Sequence, residues 1–149
     1  MGQHAEKARD YFLEGYNCAQ AVACAYADEM GMTEEQAAQL ASGFGGGMGR
    51  MREVCGAVSG AVLVYSQLRG YTDPEDQIAK THHYARVQQL CLAFQEKWDT
   101  IVCRNLLAGL DAAKDTSPVP DARTPEYYKT RPCVRFVETA AQLLEDMLV

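Results

Sequence analysis

At 149 residues, 48% of them apolar, the chain is long enough for one domain with a proper core and needs no disulfide staples. Fourteen basic against 20 acidic residues leave a net charge of -6 and a pI near 5.0, which argues against nucleic acid or an anionic membrane as the main partner. No run approaches the roughly 18 apolar residues of a membrane span, and the start, Met1 to Lys7, holds no apolar signal core, so a soluble cytoplasmic protein without membrane insertion is expected.

From Ala5 to Gly15 the positions Ala8, Tyr11 and Phe12 share one helical face, and Gly15 stops or bends that helix. Asn17 caps a second, alanine-rich segment from Cys18 to Met30, closed by Gly31. Thr33 with Gln36 reads as a capping box that opens a short helix through Leu40 or Ala41. The loop Gly43-Phe44-Gly45-Gly46-Gly47-Met48-Gly49 follows, and then a helix from Cys55 to about Arg69, closed by Gly70.

Asp73 and Pro74 signal the start of a long helix from Glu75 to Trp98, whose buried and wet faces are read from Ile78, Ala85, Leu92 and the following Gln95-Glu96. Asp99 or Thr100 caps a short helix from Ile101 to Ala108, with Cys103 in its opening turn and Gly109 at its end. Residues 117–130, with Pro118, Pro120 and Pro125, form the longest irregular segment, with room for one helical turn after Thr124. Pro132 opens the last helix, which runs to Leu148 with Cys133 in its first turn. No period-two strand flanked by turns is present, so the expected fold is all-α, a compact single-domain helical bundle over residues 1–149 with six to seven helices.

The chain is organised around Cys55-Gly56-Ala57-Val58-Ser59-Gly60-Ala61 and the glycine loop before it. A helix start carries unpaired N–H groups and the positive end of the dipole, so a cysteine there is pushed toward thiolate. Gly56 and Gly60 leave one face of the helix nearly bare. Each glycine inside a helix costs about 1 kcal/mol relative to alanine, so the bare face implies close packing against another backbone or a compact cofactor. Gly45, Gly46 and Gly47 of the loop are the other candidate walls for such a cofactor. The loop is not a phosphate loop, since it lacks the Gly-Lys-Ser/Thr ending and follows no strand; it lets backbone approach Cys55 or hinges as a lid.

Six cysteines in a reducing compartment read as ligands, redox thiols or core fillers. Cys18, Cys55, Cys103 and Cys133 all fall at predicted helix starts, and Arg50, Arg52, Arg104, Arg131 and Arg135 crowd three of them, which in an acidic chain suggests an anionic centre. Cys24, six residues past Cys18, turns away from its face, and Cys91 lies mid-helix between Leu90 and Leu92; both read as small core residues. His82 and His83 point about 100° apart on their helix and read as surface or partly packed. Asp73, Glu75 and Asp76 read as charge at a helix start, and Trp98 and Tyr127-Tyr128 as anchors.

Asn17-Cys18-Ala19-Gln20-Ala21-Val22, the loop ending Gly47-Met48-Gly49, Cys55-Gly56-Ala57 followed by Gly60, Cys103-Arg104 with Leu106, and Cys133 together resemble the redox-active family called C_GCAxxG_C_C. The resemblance spans nearly the whole chain, maps the four family cysteines onto Cys18, Cys55, Cys103 and Cys133, and leaves Cys24 and Cys91 outside the pattern. It implies redox chemistry of an electron-transfer accessory kind, with an oxidoreductase or other redox protein as partner.

Three functions fit these residues. The first is an iron–sulfur cluster held by Cys18, Cys55, Cys103 and Cys133 and used for electron transfer, although no two of the four are close in sequence. The second is a thiol–disulfide oxidoreductase or redox sensor, in which Cys55 attacks and another of the four resolves. The third is a structural zinc site in an interaction module, which would normally show paired cysteines. The bare helix face is open to packing within the chain or across a homo-oligomer.

Overall fold

Asn17 accepts the Gln20 N–H at 2.8 Å while the Gln20 side chain takes the Asn17 N–H, a reciprocal capping box that fixes where the central helix begins. In the computed structural model, which describes residues 1–149, the chain forms eight α-helices: α1 (Gln3–Leu13), α2 (Cys18–Ala25), α3 (Glu34–Ala41), α4 (Gly56–Arg69), α5 (Gln77–Trp98), α6 (Cys103–Leu106), α7 (Pro125–Thr130) and α8 (Cys133–Leu148). There is no strand. The one strand-like pairing is an isolated antiparallel bridge between Val54 and Val102. The fold is all-α, and no helix is long and apolar enough to cross a membrane.

α2 is buried almost all round, through Ala19, Ala21, Val22, Ala23, Cys24 and Ala25, because it packs against α1, α3, α4 and α8 at once. Small side chains let four helices approach one axis closely. Gly60 shows how close: a Cβ there would lie 2.8 Å from the Ala19 carbonyl oxygen and 3.0 Å from Ala19 Cα. The bare face of α4 is therefore filled within the chain, by the backbone of α2.

Several boundaries differ from the expectation. α2 stops at Ala25 rather than Met30, because Tyr26 leaves helical geometry (φ -112°), places its ring fully inside the core and donates to Ala141 O at 2.7 Å. α5 is capped by Asp76, which accepts the Ala79 N–H, while Asp73 and Pro74 lie in the preceding turn with Asp73 taking the Glu75 N–H. The buried face of α5 is His83, Leu90 and Phe94; Ile78 and Leu92 are exposed. With α5 packed chiefly on α4 and α8, their surfaces select the face that is covered. α6 is a single turn, because Asp99 (φ 71°) ends α5 and residues 101–102 pair with the chain before α4 instead of coiling.

Candidate functional site

The glycine loop turns back on itself through Gly49 N–H to Gly43 O (2.9 Å), Arg50 N–H to Gly45 O (3.1 Å), Arg52 N–H to Gly46 O (3.1 Å) and Glu53 N–H to Gly47 O (2.8 Å). Met48, Arg50 and Arg52 all take left-handed φ of 61–70°, a conformation side-chain-bearing residues avoid. This tight coil is pinned to the start of α6 by Cys55 N–H to Ile101 O (2.7 Å) and Cys103 N–H to Glu53 O (2.6 Å), which brings Cys55 and Cys103 to one place. Gly47 makes the approach feasible: it has φ 73°, and a Cβ there would stand 2.7 Å from Cys103 Cβ.

Gly56 plays the matching part on the other side, since its missing Cβ would meet Phe44 O at 2.8 Å and Cys18 Cβ at 3.3 Å. Cys18 opens α2, Cys55 caps α4, Cys103 opens α6 and Cys133 opens α8. All four line one cavity of about 290 Å³, together with Gly45, Gly46, Gly47 and Gly56. Gly60 does not reach it; its role is the α2–α4 contact. Cys24 and Cys91 lie elsewhere: Cys24 is buried against Glu34 O, and Cys91 is half-buried on α5.

The arginines sort differently from their positions in sequence. Arg50, Arg52 and Arg131 line the cavity, whereas Arg104 is exposed and paired with Glu53, and Arg135 is exposed. Arg123 joins them from the irregular segment, donating to Phe12 O at 2.9 Å and Tyr16 O at 2.8 Å and lying 4.9 Å from the Tyr127 ring centroid. Arg50 pairs with Asp115 (3.2 Å) and Asp121 (3.1 Å), and Arg131 with Asp121 (2.7 Å). Arg52 and Arg123 form no ion pair with any carboxylate.

Burial decides the protonation of two of the four thiols, Cys55 and Cys103. Desolvation pushes Cys55 up to about 12, although the N–H groups of Ala57 and Val58 act the other way. It also raises Cys103 despite the hydrogen bond and charge of Arg52. The helix-start field expected to make Cys55 a thiolate is thus outweighed by loss of water. Cys133 is the exception. A hydrogen bond from the Cys18 thiol lowers it most, burial opposes, and the Arg131 and Arg123 charges help bring it to about 7. Cys18, as donor in that bond and itself buried, is pushed well above the ordinary thiol range.

No three His, Cys, Asp or Glu side chains stand close enough together to hold one metal ion. The cavity therefore presents four thiols spread around a volume rather than a ready-made tetrahedral site for a single ion. Four thiols, four guanidinium groups and a glycine-built wall thus share one cavity on an all-α frame. The chain belongs to the C_GCAxxG_C_C family, described as "Putative redox-active protein (C_GCAxxG_C_C)", whose model matches residues 16–147. No curated protein and no solved structure matches the chain.

Sequence reasoning missed Arg123, Asp121 and Tyr127 as cavity residues. Their only signal was the prolines of residues 117–130, a long irregular stretch of the kind that carries function.

Proposed function

We propose that the protein is an electron-transfer protein whose redox centre is an iron–sulfur cluster held by Cys18, Cys55, Cys103 and Cys133. The observation that carries the reading is the convergence of these four thiols, from four separate helix starts, on one cavity with no three of them in reach of a single ion. Such a donor set fits a polynuclear centre, and a cluster with four thiolate ligands is an anion suited to the surrounding guanidinium groups. When bound, the cluster supplies one-electron transfer. The chain's own residues hold the four sulfurs, exclude water through the buried walls at Cys55 and Cys103, and offset negative charge with Arg52 and Arg123. A redox protein or oxidoreductase is the expected partner.

A second reading is supported by Cys18 and Cys133 lining the same cavity, with the neighbouring Cys18 thiol and the arginine charges lowering Cys133 to about 7. In it, the Cys133 thiolate attacks one sulfur of an external disulfide and expels the other as a thiolate. The Cys18 thiol then loses its proton and attacks Cys133 in the mixed disulfide, closing a Cys18–Cys133 bond and releasing the second thiol. The pair is oxidised by two electrons and the external disulfide is reduced. Cys133, rather than Cys55, is the attacking residue here.

Iron and acid-labile sulfide content, with a visible spectrum of protein purified without oxygen, separates the two. Iron with matching sulfide and broad visible absorption supports the cluster. A colourless, metal-free protein rejects it, and free-thiol counts before and after oxidation of Cys18→Ser and Cys55→Ser variants then test the pair.

A further inference from the structure

We infer that Arg52 is the anion contact of the cysteine cavity, its unpartnered Nη2–H directed to a compact, doubly negative group bound among the four thiols. Arg52 is only 2% exposed. Its Nε donates to Asp115 O at 3.0 Å and its Nη1 to Cys103 Sγ at 3.9 Å, but Nη2 has no partner at all. A buried guanidinium with a free N–H and no carboxylate beside it is an arrangement folding disfavours, because the lost hydration is not replaced. The chain nevertheless holds Arg52 there in a left-handed backbone conformation (φ 61°) at the wall of a cavity.

The charge around the cavity points the same way. Of the four guanidinium groups, Arg50 and Arg131 are answered by Asp115 and Asp121, which leaves Arg52 and Arg123 without carboxylates in a protein whose net charge is -6. Both terminal nitrogens of Arg123 donate to protein oxygens, Nη1 to Phe12 O and Tyr128 Oη and Nη2 to Tyr16 O, so of the two it is Arg52 that has a buried terminal nitrogen with no partner. Two unanswered positive charges match a dianion. That chemistry has two sources: a cluster with four thiolate ligands, or a free tetrahedral oxyanion. The first rests on the cluster reading above, while the second does not.

The test compares the unaltered chain with Arg52→Gln and Arg52→Lys. In the metal-free chain, thermal melting is followed in sodium sulfate and in sodium chloride at equal ionic strength. Sulfate should raise the midpoint beyond the chloride value by more in the unaltered chain than in Arg52→Gln, with Arg52→Lys between. Any general stabilisation by sulfate is common to all three chains and cancels. In chain reconstituted with ferrous iron and sulfide, centres of equal iron and sulfide content should show a lower midpoint potential in Arg52→Gln than in the unaltered chain, with Arg52→Lys between. An equal sulfate excess in Arg52→Gln, or equal potentials at equal loading, overturns the assignment. So does an unaltered chain that shows no sulfate excess and takes up no cluster. Failure to take up iron and sulfide with the sulfate difference intact rejects the cluster and keeps Arg52 as an oxyanion contact. Where circular dichroism shows Arg52→Gln unfolded, Arg52→Lys carries both comparisons.

Discussion

Arg131 donates to Asp121 Oδ2 at 2.7 Å, and through this bond the irregular segment 115–124 is tied to the chain just before α8. The same oxygen takes Arg50 Nη1 at 3.1 Å, so one carboxylate joins the glycine loop, the segment and the Cys133 helix at the cavity wall.

Asp121→Asn should therefore loosen the cavity without unfolding the chain, at about 1–2 kcal/mol, between the values for exposed and buried pairs. Burial pushes the Asp121 carboxyl up, but the hydrogen bonds and charges of Arg50 and Arg131 outweigh it and hold it below the usual range. A carboxyl lowered on folding adds stability above its unfolded pKa, and that stability is lost as pH falls through the folded value. Urea melts should show a smaller loss of stability on acidification below about pH 4 in Asp121→Asn than in the unaltered chain.

The four cavity cysteines should behave as a set. Serine at Cys18, Cys55, Cys103 or Cys133 should each strongly reduce bound iron and sulfide after reconstitution, while Cys91→Ser, half-buried on α5 and away from the cavity, should leave both unchanged. Metal and sulfide analysis reads the outcome. Loss of the centre in Cys91→Ser alone would reverse the sorting of the cysteines.

In the metal-free chain, Cys133 should be the first thiol alkylated by iodoacetamide. Its thiolate fraction rises with pH through about 7, whereas Cys55, pushed up to about 12 by burial, stays a protonated thiol across the neutral range. Cys18→Ala removes the hydrogen bond that lowers Cys133 most, so the pH midpoint of alkylation should move upward. Peptide mapping by mass spectrometry after timed labelling measures both; labelling of Cys55 ahead of Cys133 would contradict the assignment.

Gly60→Ala should cost about 1–3 kcal/mol, the range for overpacking a tight core, although alanine is the better helix former. The added methyl would meet backbone, Ala19 O and Cα, which cannot rotate aside. Forcing α2 from α4 also separates Cys18 from Cys55, so cluster uptake should fall with stability. A denaturant midpoint equal to that of the unaltered chain would show that the α2–α4 contact gives way freely.

The helices were legible where local chemistry alone specifies them. The Asn17 cap, the Thr33–Gln36 capping box, the helical turn after Thr124, Pro132 before Cys133 and Gly70 after α4 all stand where the residues placed them. The errors came where a neighbour outweighed local preference. Tyr26 leaves its helix to bury its ring, and the face of α5 is chosen by α4 and α8 rather than by the spacing of Ile78, Ala85 and Leu92.

By itself the sequence determined an all-α chain and put cysteines at the starts of four helices, because caps, prolines and glycines act within a few residues of where they stand. Only the tertiary structure decided that these four starts meet at one cavity, that Arg123 and Asp121 arrive there from a segment with no helical pattern, and that Cys133 rather than Cys55 is the low-pKa thiol. The physical reason is that burial and charge depend on which groups lie nearby in space. Desolvation at Cys55 exceeds its helix-start field, and the Cys18 thiol and Arg131 reach Cys133 only once the chain has folded.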